Sequence, residues 1–237
     1  MRQFGFLQMI ELGLDFIPEM WMVATGGVPK LVLMAEFAEN TPDEALRKAE
    51  EAQAALEGLP VRTKIAKTEM EEAKYWTVRR QSFALLRKNL KGLYASPFID
   101  DIVVHPNDYP KFLPELEELL GHYKLLYTIA GHIGDANFHI IPLMNLGRPY
   151  DRKEIAELSP KVYELVAKYH GSITGEHNDG LIRTPYLPLM FKPEVIALFA
   201  EVKKIFDPLG ILNPGKKVPV PGEGGTLEDS ERFMIKQ

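Results

Sequence analysis

Residues 123–143 read YKLLYTIAGHIGDANFHIIPL, with two apolar runs, Tyr123–Ala130 and Phe138–Leu143, flanking a glycine-rich polar link. Runs of this length and composition, bounded by Gly and Asp, predict two strands joined as a hairpin. Centring the turn between Asp135 and Ala136 places His132 directly opposite His139. Directly opposed residues carry Cβ atoms about 4.5–5.5 Å apart, close enough for two imidazoles to share one divalent ion. Gly134 and Asp135 suit the turn, and Gly131 leaves clearance beside His132. Asn137 is placed to hydrogen-bond the turn or a bound group. Without further context, two histidines on a hairpin are ordinary core or surface residues.

Outward from the hairpin, strand and helix patterns alternate. Upstream, Leu31–Phe37 reads as a buried strand, and Thr41 with Pro42 supplies an N-cap and first turn for a helix through Leu56 that stops at Gly58. Val61–Ala66 reads as a strand. Thr68 and Glu71 form a capping box for a helix from Glu69 to about Leu86. Ile99–Val104 is a further strand, and Asn107–Leu120 a helix ending at Gly121. Beyond the hairpin, Ser159 and Pro160 open a helix reaching His170, with Gly171 as its C′ residue. Pro193–Phe206 is the last helix, broken by Asp207-Pro208-Leu209-Gly210. Short connections and a hairpin favour an α+β fold, a mainly antiparallel sheet with helices on one face. Two βαβ-like halves suggest a duplicated ferredoxin-like layout.

The 237 residues suffice for one large domain or two small ones, and 46% hydrophobic with 26% charged residues is ordinary for a globular chain. A net charge of −5 provides no basic footprint for nucleic acid. The chain has no cysteine, which removes disulfides, iron–sulfur ligation and thiol nucleophiles. No apolar stretch is long enough for a transmembrane helix. Near the N-terminus, Glu11 and Asp15 interrupt the apolar run, so residues 4–15 read as an amphipathic helix rather than a signal peptide.

A second segment, Gly175-Glu176-His177-Asn178-Asp179-Gly180, follows the β-like run Ser172–Thr174. Glu176 can supply an anionic third ligand beside His132 and His139, the set of an open catalytic metal site. His177 is adjacent, so its side chain is expected to point elsewhere and to act as acid or base. Trp76 and Arg79, three apart on a predicted helix, share a face, and Arg79 suits a bidentate clamp on a carboxylate. Lys91 is a weaker carboxylate-binding candidate. Ile211–Lys216 (ILNPGK) reads as a turn.

Taken together, GHIGDANFH, GSITGEHNDGLIR and FDPLGILNPGK resemble the C-terminal cap domain of FAD-linked oxidases. That group includes D-lactate dehydrogenase, D-2-hydroxyglutarate dehydrogenase and the glycolate oxidase flavin subunit. The likeness spans residues 30–218, leaving 1–29 as an N-terminal connection and 219–237 as a peripheral tail. It implies an α+β cap over a flavin ring, with His132, His139 and Glu176 holding a divalent metal, usually zinc. It further implies His177 as general base, Arg79 as substrate-binding, and Asn213 and Lys216 in the segment that returns to the flavin domain; beside these, Lys91 is a further substrate-binding candidate and Asn137 a cofactor-binding one. Many relatives carry glycine where this chain has Asn178, and some metal-dependent members carry asparagine at the position of Ile141.

The resemblance implies the substrate- and metal-binding part of an FAD-dependent D-2-hydroxy-acid dehydrogenase. The family's FAD-binding domain is expected from another domain or subunit, so this chain is expected not to turn over alone. A downstream electron acceptor, no nucleic acid, openness to homo-oligomerisation and a cytoplasmic or membrane-peripheral location complete the expectation. The same ligand set serves a self-contained metal-dependent hydrolase, and a non-catalytic cap or assembly module is the third reading.

Overall fold

The computed structural model describes residues 31–77, 79 and 92–218. The chain divides into two compact units, Met1–Lys88 and Asn89–Gln237. Among the described residues, no helix is long and apolar enough to cross a membrane.

In the first unit, helix α1 spans Pro42–Ala55. Thr41 caps it as expected, its Oγ1 accepting the Glu44 N–H at 3.3 Å, and Pro42 occupies the first turn, where its missing N–H costs nothing. Residues 69–77 are helical (α2). Thr68 Oγ1 accepts from Glu71 N–H at 3.2 Å, but the Glu71 carboxylate reaches the N–H of Lys67 at 2.8 Å instead of that of Thr68. The strands expected at 31–37 and 61–66 do not form a ladder. Leu31, Val32, Leu33 and Val61 are all more than half exposed. An apolar run becomes a strand only when a neighbouring strand takes up its backbone N–H and C=O groups, and among the described residues no strand is laddered to these runs. Among the described residues, the antiparallel sheet belongs to the second unit.

The second unit is organised on its longest strand. Strands β1 (Tyr94–Ala95), β2 (Ile99–Val103), β3 (Tyr127–His132) and β4 (Asn137–Met144) form an antiparallel sheet, in which β3 pairs with one edge of β4 and β1 and β2 share the other. Alternation along β4 sorts its side chains. Phe138, Ile140 and Met144 enter the hydrophobic core, while Asn137 and His139 face the opposite side. Helix α3 (Tyr109–Gly121) contributes Phe112, Leu116 and Leu120, spaced four apart on one stripe. Helix α4 (Pro149–Lys168) contributes Ile155, Leu158, Val162, Tyr163 and Val166. Both helices thus cover one sheet face, as the α+β reading expected, and leave the other for chemistry.

Three local expectations are corrected. The hairpin pairs His132 with Asn137 and His139 with Ala130, not His132 with His139. A 3₁₀ turn at Ile133–Asp135 followed by Ala136 in the left-handed region (φ 62°) starts β4 one residue early. Moving the turn centre by one residue shifts the pairing by two, which preserves the face each side chain occupies. Helix α4 begins ten residues before Ser159, and Pro160 lies inside it. At its end, His170 rather than Gly171 adopts positive φ (53°). The Gly171 N–H bonds the Val166 carbonyl and the His170 N–H that of Ala167, both at 2.9 Å, completing a Schellman cap. Gly171 is required for a different reason: a Cβ there would sit 2.4 Å from the Val103 carbonyl oxygen.

The remaining described elements are a 3₁₀ turn at Pro106–Asp108, helix α5 (Gly180–Arg183), a 3₁₀ stretch at Thr184–Leu189 and helix α6 (Pro193–Phe206), the last with the bounds read from sequence.

Candidate metal centre

A bulge in β2 builds the floor of the site. Ile99 pairs with Ile140 and Ile102 with Phe138, so Asp100 and Asp101 together oppose the single residue His139. In a regular strand Ile99 and Ile102 would point to opposite faces. With the extra residue, both are fully buried in the core, and both aspartates turn to the other side. Asp101 carries the irregularity with φ 64°, a region that Asp tolerates better than most residues.

Asp101 then recruits a loop distant in sequence. Val103 and Ser172 exchange two backbone hydrogen bonds of 2.8 Å, laying residues 172–177 beside β2. The backbone N–H groups of Gly175, Glu176 and His177 donate to the Asp101 carboxylate at 2.8–3.2 Å. The Asn137 amide adds a bond of 3.0 Å and the Thr174 hydroxyl one of 3.3 Å. Arg183 lies 3.7 Å away and donates to the Asn178 carbonyl. Burial pushes the Asp101 pKa upward, but the N–H groups of Glu176 and His177, the Asn137 amide and the Gly175 N–H outweigh it and lower the value from 3.8 to about 2. Gly175 must be glycine, because a Cβ would meet Asn137 Nδ2 at 2.5 Å and Val103 Cγ2 at 2.9 Å. Asn178 takes φ 65°, the conformation glycine adopts without cost, and its Oδ1 accepts the Asp179 N–H at 2.8 Å.

Three imidazoles converge on Glu176. Its Oε1 lies 3.1 Å from His139 Nε2 and 3.4 Å from both His132 Nε2 and His177 Nε2. The His132 and His139 rings meet edge to face at 5.5 Å. The three residues expected from sequence as ligands, His132, His139 and Glu176, thus lie together. The sequence reading sent His177 elsewhere, and the structure corrects this: the folded loop stacks its ring on His139 at 5.0 Å. Ligand atoms of Asp101, His139, Glu176 and His177 all lie within 4.8 Å of one another. Asp101 is the exception chemically, since its oxygens already accept the loop's N–H groups; it organises the loop. The imidazole and carboxylate donors fit a borderline ion such as Zn²⁺.

Asn137 is buried beside this cluster with Oδ1 lacking a hydrogen-bond partner among the described residues. It lines an open cleft of about 330 Å³ together with Val103, His132, Asp135, Gly175 and Glu176. Asn213 (φ 43°) and Lys216 lie in the loop after α6, where Lys216 Nζ donates to Asn213 Oδ1 at 3.3 Å. Ile141 pairs with Thr128 on the site side of β4. Arg79 belongs to the first unit, its guanidinium over the Trp76 ring at 5.3 Å, as the shared helix face predicted. Lys91 lies outside the described residues. Sequence reasoning missed Asp100 and Asp101; the visible signal was two adjacent acids inside an otherwise apolar predicted strand.

An α+β domain with one sheet face covered by helices and a histidine–carboxylate cluster on the other defines the class. The chain belongs to the family of FAD linked oxidases, C-terminal domain, whose model matches residues 12–217. Similar proteins include D-2-hydroxyglutarate dehydrogenase of Escherichia coli (strain K12), 32% identical over 62% of this chain and 14% of that protein. The D-2-hydroxyglutarate dehydrogenase of Stutzerimonas stutzeri (strain A1501) is 37% identical over 51% of this chain and 27% of its own length. Glycolate oxidase subunit GlcD of E. coli (strain K12) is 30% identical over 66% of this chain and 30% of its own length. The chain thus spans less than a third of each of these relatives. Among solved structures, 4-ethylphenol oxidase from Gulosibacter chungangensis shares the fold, with a TM-score of 0.53 at 18% identity over 76% of this chain and 37% of that one.

Proposed function

We propose that this chain is the substrate- and metal-binding part of an FAD-dependent 2-hydroxy-acid dehydrogenase, transferring a hydride from a D-2-hydroxy acid to FAD. The observation that carries the reading is the convergence of three histidine Nε2 atoms on Glu176 Oε1 within 3.4 Å. It occurs in a family whose similar members are named for hydroxy-acid chemistry.

His132, His139 and Glu176 would hold the divalent ion. Bound there, the ion would supply Lewis acidity at the substrate hydroxyl, and a flavin would supply the hydride acceptor. His177 accepts the hydroxyl proton at Nε2, the atom it turns toward Glu176. Arg79 and Lys91 bind the substrate carboxylate, a guanidinium being suited to grip both oxygens. Asn137, Asn213 and Lys216 face the cofactor, and the unpaired Oδ1 of Asn137 supports its part in this. An FAD-binding domain or subunit is the necessary partner. Family membership favours this over hydrolysis by the same ligand set.

Elemental analysis after equilibration with Zn²⁺ is expected to give about one ion per chain, lost in Glu176→Ala. Assembled with the FAD-binding partner, the wild type is expected to bleach flavin on addition of a D-2-hydroxy acid. Unchanged metal content in Glu176→Ala overturns the ligand assignment. Hydrolysis by the metal-loaded chain without flavin overturns the redox assignment.

A further inference from the structure

Asp100 meets two imidazoles through the same ring atom. Its Oδ1 lies 2.9 Å from Nδ1 of His139, and its Oδ2 lies 3.4 Å from Nδ1 of His177. The two rings are stacked with planes 18° apart. Both therefore turn Nδ1 toward Asp100 and Nε2 toward Glu176. A carboxylate only accepts hydrogen bonds, so in its bond to Asp100 the His139 ring carries its proton on Nδ1, and the Asp100 charge 3.4 Å from Nδ1 of His177 favours the same placement on that ring. A neutral imidazole has one such proton, which leaves the lone pair on Nε2.

Glu176 competes for a proton on the same Nε2 atoms, but unequally. Its side chain is 50% exposed, whereas that of Asp100 is 6% exposed. A charge-assisted hydrogen bond away from water is the stronger one. The bulge makes this possible, since it aims Asp100 at His139 while Ile99 and Ile102 stay in the core.

We propose that Asp100 is a positioning residue that holds His139 and His177 in one tautomer, proton on Nδ1 and lone pair on Nε2. One buried carboxylate thereby orients both a metal ligand and the proton acceptor of the function proposed above, on which those two roles rest. The two histidines are then coupled: one oxygen of Asp100 is hydrogen-bonded to His139, and the charge of the other faces Nδ1 of His177.

The test uses the full chain with ¹⁵N-labelled histidine, without metal, at about pH 9, above the imidazole range. His139 and His177 are both expected as the Nδ1–H tautomer, and either one found as Nε2–H overturns the proposal. This measurement needs no variant. Asp100→Asn, the isosteric change, keeps one acceptor and presents an NH₂ group to the second ring. That ring should switch to Nε2–H, and Zn²⁺ affinity should fall about 10–100-fold. In a His177→Ala background the Asn oxygen can serve His139 alone, so the loss caused by Asp100→Asn should shrink. An equal loss in both backgrounds overturns the sharing. Correct tautomers in a chain that binds no Zn²⁺ would instead count against the metal reading and leave the role of Asp100 standing.

Discussion

The Asp101 carboxylate accepts the backbone N–H of His177 at 2.9 Å across 76 residues of sequence. With the N–H groups of Gly175 and Glu176, it fills an anion-binding nest formed by three successive residues. The nest gives the loop its shape, and the shape brings Glu176 and His177 to the two hairpin histidines.

Asp101→Asn replaces an acceptor oxygen with an NH₂ group facing backbone donors. At least one buried N–H then loses its partner, at a cost of about 1–3 kcal/mol. Urea titration is expected to show that loss, and Zn²⁺ binding should weaken with it. A variant as stable as wild type would mean that the nest does not hold the loop.

The same carboxylate makes stability depend on acid. Its folded pKa is about 2 against an ordinary 3.8, so between these values the unfolded chain binds more protons and stability rises with pH. The contribution is complete above about pH 4 and is lost as the pH falls to about 2. Urea midpoints across this window should slope upward in wild type, and less steeply in Asp101→Asn.

His132 and His139 should separate folding from metal binding. His132 has a side chain 41% exposed, and His132→Ala should leave metal-free stability within about 0.5 kcal/mol. His139 is 11% exposed and pairs with Asp100, so His139→Ala should destabilise the metal-free chain. Wild type at 100 times the Kd should gain about 2.7 kcal/mol from Zn²⁺. Both variants should lose most of that gain in thermal melts; retention of it by His132→Ala would remove His132 from the ligand set.

Glycine substitutions test the close packing behind the loop. Gly175→Ala brings a Cβ within 2.5 Å of Asn137 Nδ2 and 3.0 Å of Asp101 Oδ1. It is expected to cost about 1–3 kcal/mol, the usual range for overpacking. Gly134→Ala in the hairpin turn meets nothing within 4 Å and should be near neutral. Equal midpoints for the two variants would contradict the structure.

Much of the site was legible in local sequence. Thr41 and Pro42 announced α1, and the hairpin motif put His132 and His139 on one face even though the register was two residues away. A period of two explains that tolerance, because a two-residue slip leaves each side chain on its face. The helix stop near Gly171 was also legible, but which residue turned left-handed was not. His170 carries the positive φ, and Gly171 is needed instead for its close approach to Val103.

The amino-acid sequence by itself determined the family and the antiparallel class, and it singled out His132, His139 and Glu176 as candidates for one site. These depend on residue type and near-neighbour spacing, which a chain displays before it folds. Tertiary structure alone decided that Asp100 and Asp101 lie beneath the histidines and that His177 joins them. The bulge exists because Ile99 and Ile102 must both be buried in the same core, and the loop is held by hydrogen bonds between segments some 75 residues apart. Burial and long-range pairing are properties of the assembled sheet, and no window of sequence contains them.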